Sequence, residues 1–165
     1  MGAPVAMTQI YYDEALRQAW PRPLAKQWAE QYPQLFDADD LRLTVRQPNN
    51  HFAEWFAAIH LFHRDGVLAL VEKYIYATHP AKRRQVLQIQ DGLLETLQDI
   101  RRSFKVQPPD LLLYSPRRGL CGFAEAKGIP GDRRQPSAKQ SESHRVIKQR
   151  LGVDVELLTV RRFRP

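Results

Sequence analysis

The stretch from Pro109 to Lys127 constrains the fold of this chain more than any other. Two apolar runs of strand length, residues 111–114 and 120–124, flank a basic turn at residues 115–119. Short apolar runs separated by turn-forming residues predict a β-hairpin. Because the two strands of a hairpin are antiparallel, the beginning of the first lies beside the end of the second.

Three polar side chains stand at the open end of this predicted hairpin. Asp110 begins the first strand, and Glu125 and Lys127 lie near the end of the second. Alternation of side chains along a strand puts Glu125 and Lys127 on one face, with Ala126 turned into the core. Two carboxylates and an ammonium at the edge of an apolar hairpin predict a divalent-metal site with a catalytic lysine beside it.

Length and charge narrow the class of protein. The 165 residues suit one domain with a buried core, and the net charge of +7 favours a phosphate-rich partner without requiring one. No apolar run reaches the roughly 20 residues of a membrane span, and the N-terminus lacks the features of a secretory signal. The single cysteine, Cys121, excludes an internal disulfide and suits a reducing cytoplasm.

Apolar periodicity predicts the remaining elements. Two short helices are expected between residues 11 and 36, a short strand at residues 41–45, and a helix at residues 51–64 that Gly66 ends. Further along the chain we expect a strand at 67–76, an inserted helix at 79–104 with a weak point at Gly92, a helix from Ser137 to Arg150 and a last strand at 153–160.

This order of elements predicts an α/β (α+β) fold in which helices flank a central mixed sheet of about four strands. Residues 1–48 are interpreted as an N-terminal helical extension and residues 49–165 as the core, the two forming one compact unit.

Two other clusters are interpreted as structural. Residues 37–40 carry three aspartates, which favours a capped, solvated turn over a metal site. His51, His60 and His63 fall on or beside one helix and suggest zinc, but no cysteine or strong carboxylate cluster completes such a site.

Pro109-Asp110 followed by Glu125-Ala126-Lys127 is similar to the Pro-Asp…(Asp/Glu)-x-Lys motif of the restriction-endonuclease-like nuclease superfamily. The segment from Glu125 to Gln140, and then Leu151-Gly152 before a terminal strand, resembles the virus-type replication-repair nuclease (VRR-nuclease) family. Two departures lie away from the matched ligands: Gln107-Pro108 stands where the family has glycine, and the loop after Gly128 differs.

The resemblance implies a restriction-endonuclease-like core and a set of site residues. Asp110, Glu125, Glu54 and the Ala126 carbonyl match the ligands of Mg²⁺ or Mn²⁺, Lys127 matches the catalytic lysine, and Gln140 matches a helical glutamine. Carboxylate and carbonyl oxygens suit these hard cations.

The implied activity is metal-dependent hydrolysis of DNA, structure-selective towards flap or branched substrates in repair, recombination or phage replication. A DNase toxin or antiphage effector, and an inactive DNA-binding module, remain alternatives. The DNA is expected to be duplex or branched, and small family members are often homodimers. A phosphate track is expected from basic residues that flank the site in sequence, namely Arg117, Arg118, Arg133, Arg134, Lys139, Arg161 and Arg162.

Overall fold

The computed structural model describes residues 7–128 and 136–165, which form a mixed α/β fold around one sheet. Within these residues the sheet has five strands in the order β1-β5-β4-β3-β2. The strands are β1 (Met7–Tyr12), β2 (Leu68–Val71), β3 (Leu111–Ser115), β4 (Gly119–Gly128) and β5 (Val155–Arg162). The described part of the chain also contains seven helices: α1 (Glu14–Gln18), α2 (Leu24–Gln31), α3 (Ala38–Arg46), α4 (Phe52–Asp65), α5 (Pro80–Ile89), α6 (Leu93–Phe104) and α7 (Ala138–Leu151).

The sheet mixes two kinds of strand pairing. β2, β3 and β4 are antiparallel neighbours, whereas β5 runs parallel to both β4 and β1. The predicted hairpin is therefore confirmed as β3 and β4, and its turn lies between Ser115 and Gly119. The mixed sheet flanked by helices confirms the coarse fold class.

Each face of the sheet has its own hydrophobic core. One face, which carries Val71, Leu111 and Ala124, packs with α4 and with the N-terminal segment that contains α1 and α2. The other face, which carries Leu112 and Phe123, packs with α6 and α7. Glu125 falls between Ala124 and Ala126 and so faces α7, as the alternation along β4 requires.

The N-terminal segment, up to residue 48, differs from the predicted helical extension. It contributes the edge strand β1, which pairs with β5 along its whole length. Residues 41–45 form part of α3 and not a strand, because Asp37 and Asp40 build a capping box that starts a helix. Trp20 and Trp28 lie in the same core as Trp55 of α4, so this segment is part of the main body.

The region between β2 and β3 contains two helices in place of one. α5 ends at Ile89 and α6 begins after Gly92, whose φ of 76° is left-handed and favours glycine. Among the described residues, no helix has both the length and the apolarity needed to cross a membrane.

Candidate metal centre

Three carboxylate residues occupy one row across the open end of the hairpin. Val71, Leu111 and Ala124 are register partners on β2, β3 and β4. The adjacent position on each strand is occupied by Glu72, Asp110 and Glu125, respectively. The row therefore follows from strand register, and its third member, Glu72, is absent from the sequence-based prediction.

Asp110 is held by both its main chain and its side chain. Its carbonyl accepts a hydrogen bond from the Glu72 amide at 2.8 Å, and the Tyr74 hydroxyl donates to the Pro109 carbonyl at 2.6 Å. The carboxylate oxygen Oδ2 accepts from the Ala126 amide at 2.9 Å. The Asp110 side chain is thus oriented towards β4 before any ligand binds.

Asp110 and Glu125 form a buried carboxyl pair. Burial raises the pKa of both groups, and the charge of Glu125 raises the pKa of Asp110 further. A hydrogen bond between the two carboxyls lowers the pKa of Glu125, as does the charge of Lys127, so the proton of the pair favours Asp110. Two acids that resist ionisation together in this way are typical of functional carboxylate pairs.

Two side chains at the start of α4, those of His51 and Glu54, lie beside Glu72 of this row. One potential ligand atom from each of His51, Glu54 and Glu72 lies within 4.8 Å of the other two. Burial, and then the charges of Asp110 and Glu72, raise the pKa of Glu54 to about 8. Glu54 therefore lies within electrostatic reach of Asp110, although its immediate neighbours are His51 and Glu72.

The backbone turns sharply where Glu72 and His51 meet. Glu72 and Lys73 have φ values of 51° and 53°, and His51 has a φ of 73°, so three non-glycine residues adopt the left-handed conformation here. These angles end β2 at Val71, short of the predicted end at Tyr76, and bring Glu72 Oε2 to 2.5 Å from His51 Nδ1. Such strain is often found at functional sites.

His51 links this group to the end of α3. Its Nε2 lies 2.7 Å from Gln47 Oε1, while its Nδ1 faces Glu72. Burial lowers the pKa of His51, but the hydrogen bond to Glu72 and the charges of Glu72 and Glu54 outweigh burial and raise it. A charged imidazole would donate to both acceptors and offset part of the negative charge.

Lys127 and His144 lie on the α7 side of Glu125. His144 Nε2 is 3.4 Å from Glu125 Oε1. Burial and the neighbouring Lys127 lower the pKa of His144 to about 4, with Asp110 acting in the opposite direction. His144 is therefore neutral at pH 7 and can donate a single hydrogen bond to Glu125.

Gln140 has a local role in the structure. Its Oε1 accepts from the Ser137 amide at 3.0 Å, and the Ser137 hydroxyl accepts from the Gln140 amide at 3.2 Å. This capping box starts α7. Within residues 7–128 and 136–165, Gln140 makes no side-chain hydrogen bond to the carboxylates.

The predicted basic residues divide into three groups. Arg117 and Arg118 lie at the hairpin turn, about 16 Å along the strand from Asp110, because the turn is the closed end of the hairpin. Arg161 and Arg162 follow Val160, the partner of Gly128, and so lie at the same end as the carboxylates. Lys139 is exposed at the start of α7, and Arg133 and Arg134 lie outside the described residues.

Arg161 is the basic residue with the most distinctive environment. Its Nε and Nη2 atoms are buried and have no hydrogen-bond partner within the part of the chain that the structure describes. Because an unpaired buried donor is costly, an anion at this position would stabilise the side chain.

Sequence reasoning missed three members of this site. In the sequence-based prediction Glu72 falls in the middle of a longer strand, His51 is weighed only for zinc, and His144 has no role. His144 follows Gln140 by four residues and so lies on the same side of α7, which was the one local signal present.

No protein-family model matches this chain, and no curated protein or solved structure shows significant similarity to it. The case for a function therefore depends on the geometry of the site.

Proposed function

We infer that this protein is a metal-dependent endonuclease that hydrolyses DNA phosphodiester bonds with a restriction-endonuclease-like core of the VRR-nuclease type. The observation that carries the proposal is the row of Glu72, Asp110 and Glu125 across three strands, with Lys127 on the face of Glu125. Carboxylates gathered at one end of a sheet beside a lysine suit phosphoryl chemistry assisted by a divalent cation.

The side chains present fit a divalent cation. The carboxyls of Glu54, Asp110 and Glu125 all have raised pKa values, which means that their negative charges lack sufficient compensation from the described residues. Their oxygen donors suit Mg²⁺ or Mn²⁺. A bound cation would supply Lewis-acid stabilisation of the phosphate charge and lower the pKa of a water.

Each protein group then has a distinct task. Asp110 and Glu125 would hold a divalent cation, and the Ala126 amide fixes the orientation of Asp110. Glu54 and Glu72 complete the acidic end, and His144 orients Glu125. Lys127 would place its ammonium against the scissile phosphate and the attacking water, where charge develops in the transition state. Gln140 contributes by starting α7, which carries His144.

Binding of the DNA backbone is supported by charge. The net charge of +7 favours a polyanion, and the buried nitrogens of Arg161, which have no hydrogen-bond partner among the described residues, would gain hydrogen bonds from a phosphate. Arg162 and Lys139 lie at or near the same end, and Arg117 and Arg118 could contact DNA only at the far end of the hairpin.

Cleavage assays on plasmid and branched DNA with Mg²⁺, Mn²⁺ or EDTA test this proposal. We expect Asp110→Ala and Lys127→Ala to lower the cleavage rate by at least about 100-fold, because each removes charge stabilisation at the reacting phosphate. Binding to DNA should persist, since the basic surface remains.

Asp99→Ala and Lys148→Ala are the matched controls, because Asp99 is partly exposed, Lys148 is exposed, and both form ion pairs away from the carboxylate row. Equal cleavage rates for the parent, Asp110→Ala and Lys127→Ala in Mg²⁺ would rule out the proposed site.

A further inference from the structure

Three cations border the acidic end of the sheet on the side of α6, where the phosphate track predicted from the sequence has no member. Lys73 directly follows Glu72 of the carboxylate row, and Arg101 and Lys105 lie at the C-terminal end of α6. All three cations are exposed, and none of them forms an ion pair with a residue that the structure describes. They are therefore available to an anionic partner.

Two of these cations converge on one aromatic ring. The Lys73 Nζ atom lies 5.1 Å from the centroid of the Tyr76 ring, and the Arg101 guanidinium carbon lies 4.9 Å from it. The two charges are thus within about 10 Å of one another, the sum of these distances, although one follows β2 and the other belongs to α6. Because like charges repel, an anion bound beside both of them would stabilise the arrangement.

The stability of α6 explains only part of this arrangement. Basic residues in the last turn of a helix interact favourably with its dipole, and Arg102 also pairs with Asp99 of the same helix. Arg101 and Lys105, however, are four residues apart and so place like charges on one side of the helix, which is unfavourable. Lys73 lies outside the helix, so the dipole does not account for its position beside Arg101.

Two small depressions lead from these cations to the candidate metal centre. One, of about 330 Å³, lies at the end of α6, and its lining includes Arg101, Lys105 and Gln107. The other, of about 120 Å³, has a lining that includes Gln107, Tyr76 and Asp110. Because Gln107 borders both depressions, they are adjacent and join the basic end of α6 to a carboxylate of the metal centre.

The residues along this path are held in position. The Tyr76 hydroxyl donates to Gln107 Oε1, which links the segment after β2 to the segment before β3. Pro108 and Pro109 fix two φ angles between Gln107 and Asp110. Groups that are positioned before binding lose less entropy when a ligand arrives.

The chemistry of this surface fits a sugar–phosphate backbone. Ammonium and guanidinium groups bind phosphate oxygens without reading a base. Neither depression has the volume to enclose a duplex, so a strand would lie across them with its phosphates towards the cations. Three separate cations along one path favour a chain of phosphates over a single small anion.

We propose that Lys73, Arg101 and Lys105 bind backbone phosphates of the DNA strand on the α6 side of the phosphate that is cleaved. The inference rests on the proposed nuclease function and makes it more specific, because it assigns the binding of this strand to the region between β2 and β3. Contacts to the backbone alone make binding through this surface independent of base sequence.

The salt dependence of DNA binding tests this surface. Fluorescence anisotropy in EDTA gives the affinity for a blunt duplex at several NaCl concentrations, and the slope of log affinity against log [NaCl] reports the number of phosphates contacted. Arg101→Gln and Lys73→Gln should each weaken binding about fivefold and reduce the slope by about one unit, equally for duplexes of different sequence. In Mn²⁺ both variants should raise KM more than they lower kcat, in contrast to Lys127→Ala.

Arg84→Gln is the matched control, since it removes the same charge from another helix. Arg84 is exposed on α5, forms no ion pair with a residue that the structure describes, and lines neither depression. Its substitution should leave the affinity and the slope unchanged. Circular dichroism and thermal melting check that each variant is folded, which the exposure of the substituted side chains favours.

The possible outcomes separate this surface from the nuclease function. If the parent cleaves DNA but Arg101→Gln and Lys73→Gln keep its affinity and slope, the surface is ruled out and the nuclease function stands. If both values fall in these variants but the parent cleaves no DNA in Mg²⁺ or Mn²⁺, the surface binds DNA and the nuclease function fails. An equal loss in Arg84→Gln, or tighter binding of the parent to an RNA duplex of the same sequence, would also overturn the proposal.

Discussion

Among single residues, Glu54 is the one whose side chain is expected to destabilise the metal-free protein. Its carboxyl lies among Glu72, Asp110 and His51, and burial with like charges raises its pKa to about 8. An acid that is ionised when unfolded at neutral pH must take up a proton or bear an unfavourable charge when folded, so the side chain destabilises the metal-free fold. A bound cation would remove this cost.

Glu54→Gln should therefore stabilise the metal-free protein. We expect its free energy of unfolding in EDTA at pH 7.5 to exceed that of the parent by about 1–2 kcal/mol. The reason is that a neutral amide replaces a carboxyl whose ionisation is opposed by burial and by nearby negative charges. Added Mn²⁺ should stabilise the parent and have much less effect on the variant. Urea denaturation with and without Mn²⁺ measures both effects.

Glu142→Gln is a suitable control, since Glu142 is partly exposed on α7 and pairs only with Arg145 among the described residues. A variant Glu54→Gln that is less stable than the parent in EDTA would show that the acidic group is not under electrostatic strain.

At the level of secondary-structure elements, a buried ion pair connects the N-terminal helices to the site. Lys82 of α5 and Asp40 of α3 are each only 3% exposed and contact one another. The Lys82 ammonium also donates to the Val71 carbonyl, and to that of Glu72 at 3.2 Å. One side chain thus joins α3 and α5 to the residue where β2 turns into the left-handed segment that directs Glu72 towards His51.

Lys82→Met should lower stability and disturb metal binding together. Breaking a buried ion pair leaves Asp40 without its partner and costs about 3–5 kcal/mol. Because the Glu72 turn also loses two hydrogen bonds, we expect the Mn²⁺ concentration that gives half-maximal thermal stabilisation to rise about tenfold or more. Differential scanning fluorimetry across a Mn²⁺ titration measures both quantities.

Val86→Ala separates the loss of stability from the loss of metal binding. Val86 is fully buried on the same helix, but its apolar side chain does not support the Glu72 turn by a hydrogen bond. It should cost about 2 kcal/mol in stability and leave the Mn²⁺ requirement unchanged. A Lys82→Met variant with the Mn²⁺ requirement of the parent would limit the ion pair to a purely structural role.

Considered as a whole molecule, the chain does not divide into a core and a detachable extension. β1 covers the edge of β5, and Trp20 and Trp28 contact Phe52 of α4 with ring centroids 5.7 Å and 5.9 Å apart. Without the N-terminal segment, one sheet edge and much of one hydrophobic core would face water.

A fragment spanning 49–165 should therefore fail to fold cooperatively. We expect it to lose the near-ultraviolet circular dichroism of its remaining tryptophan and to unfold without a sharp transition, because its largest apolar surface is uncovered. Urea titrations of the fragment and the full chain test this. A fragment that unfolds cooperatively within about 1 kcal/mol of the full chain would show that the core folds without the N-terminal segment.

The elements that the sequence predicted well are those with local signals. The hairpin, the helix that Gly66 ends and the helix that Ser137 begins all depend on alternation, turn residues and caps within a few positions. The strand predicted at 41–45 is wrong. A local signal for a helix was present there, because Asp37 and Asp40 form the capping box that begins α3. Gln140 likewise lies in a capping box whose spacing is visible in the sequence.

By itself, the sequence determined the hairpin, which brings Asp110 to the end of the sheet that carries Glu125. The exact register was not predicted, because a β-bulge between Leu113 and Tyr114 shifts the pairing by one residue and sets Asp110 beside Glu125. Only the tertiary structure decided the rest of the acidic end. Glu72 and Glu54 come from a different strand and from a helix, and β1 finds its partner, β5, at the opposite end of the chain. These contacts depend on burial and register across the whole sheet, which no local pattern encodes.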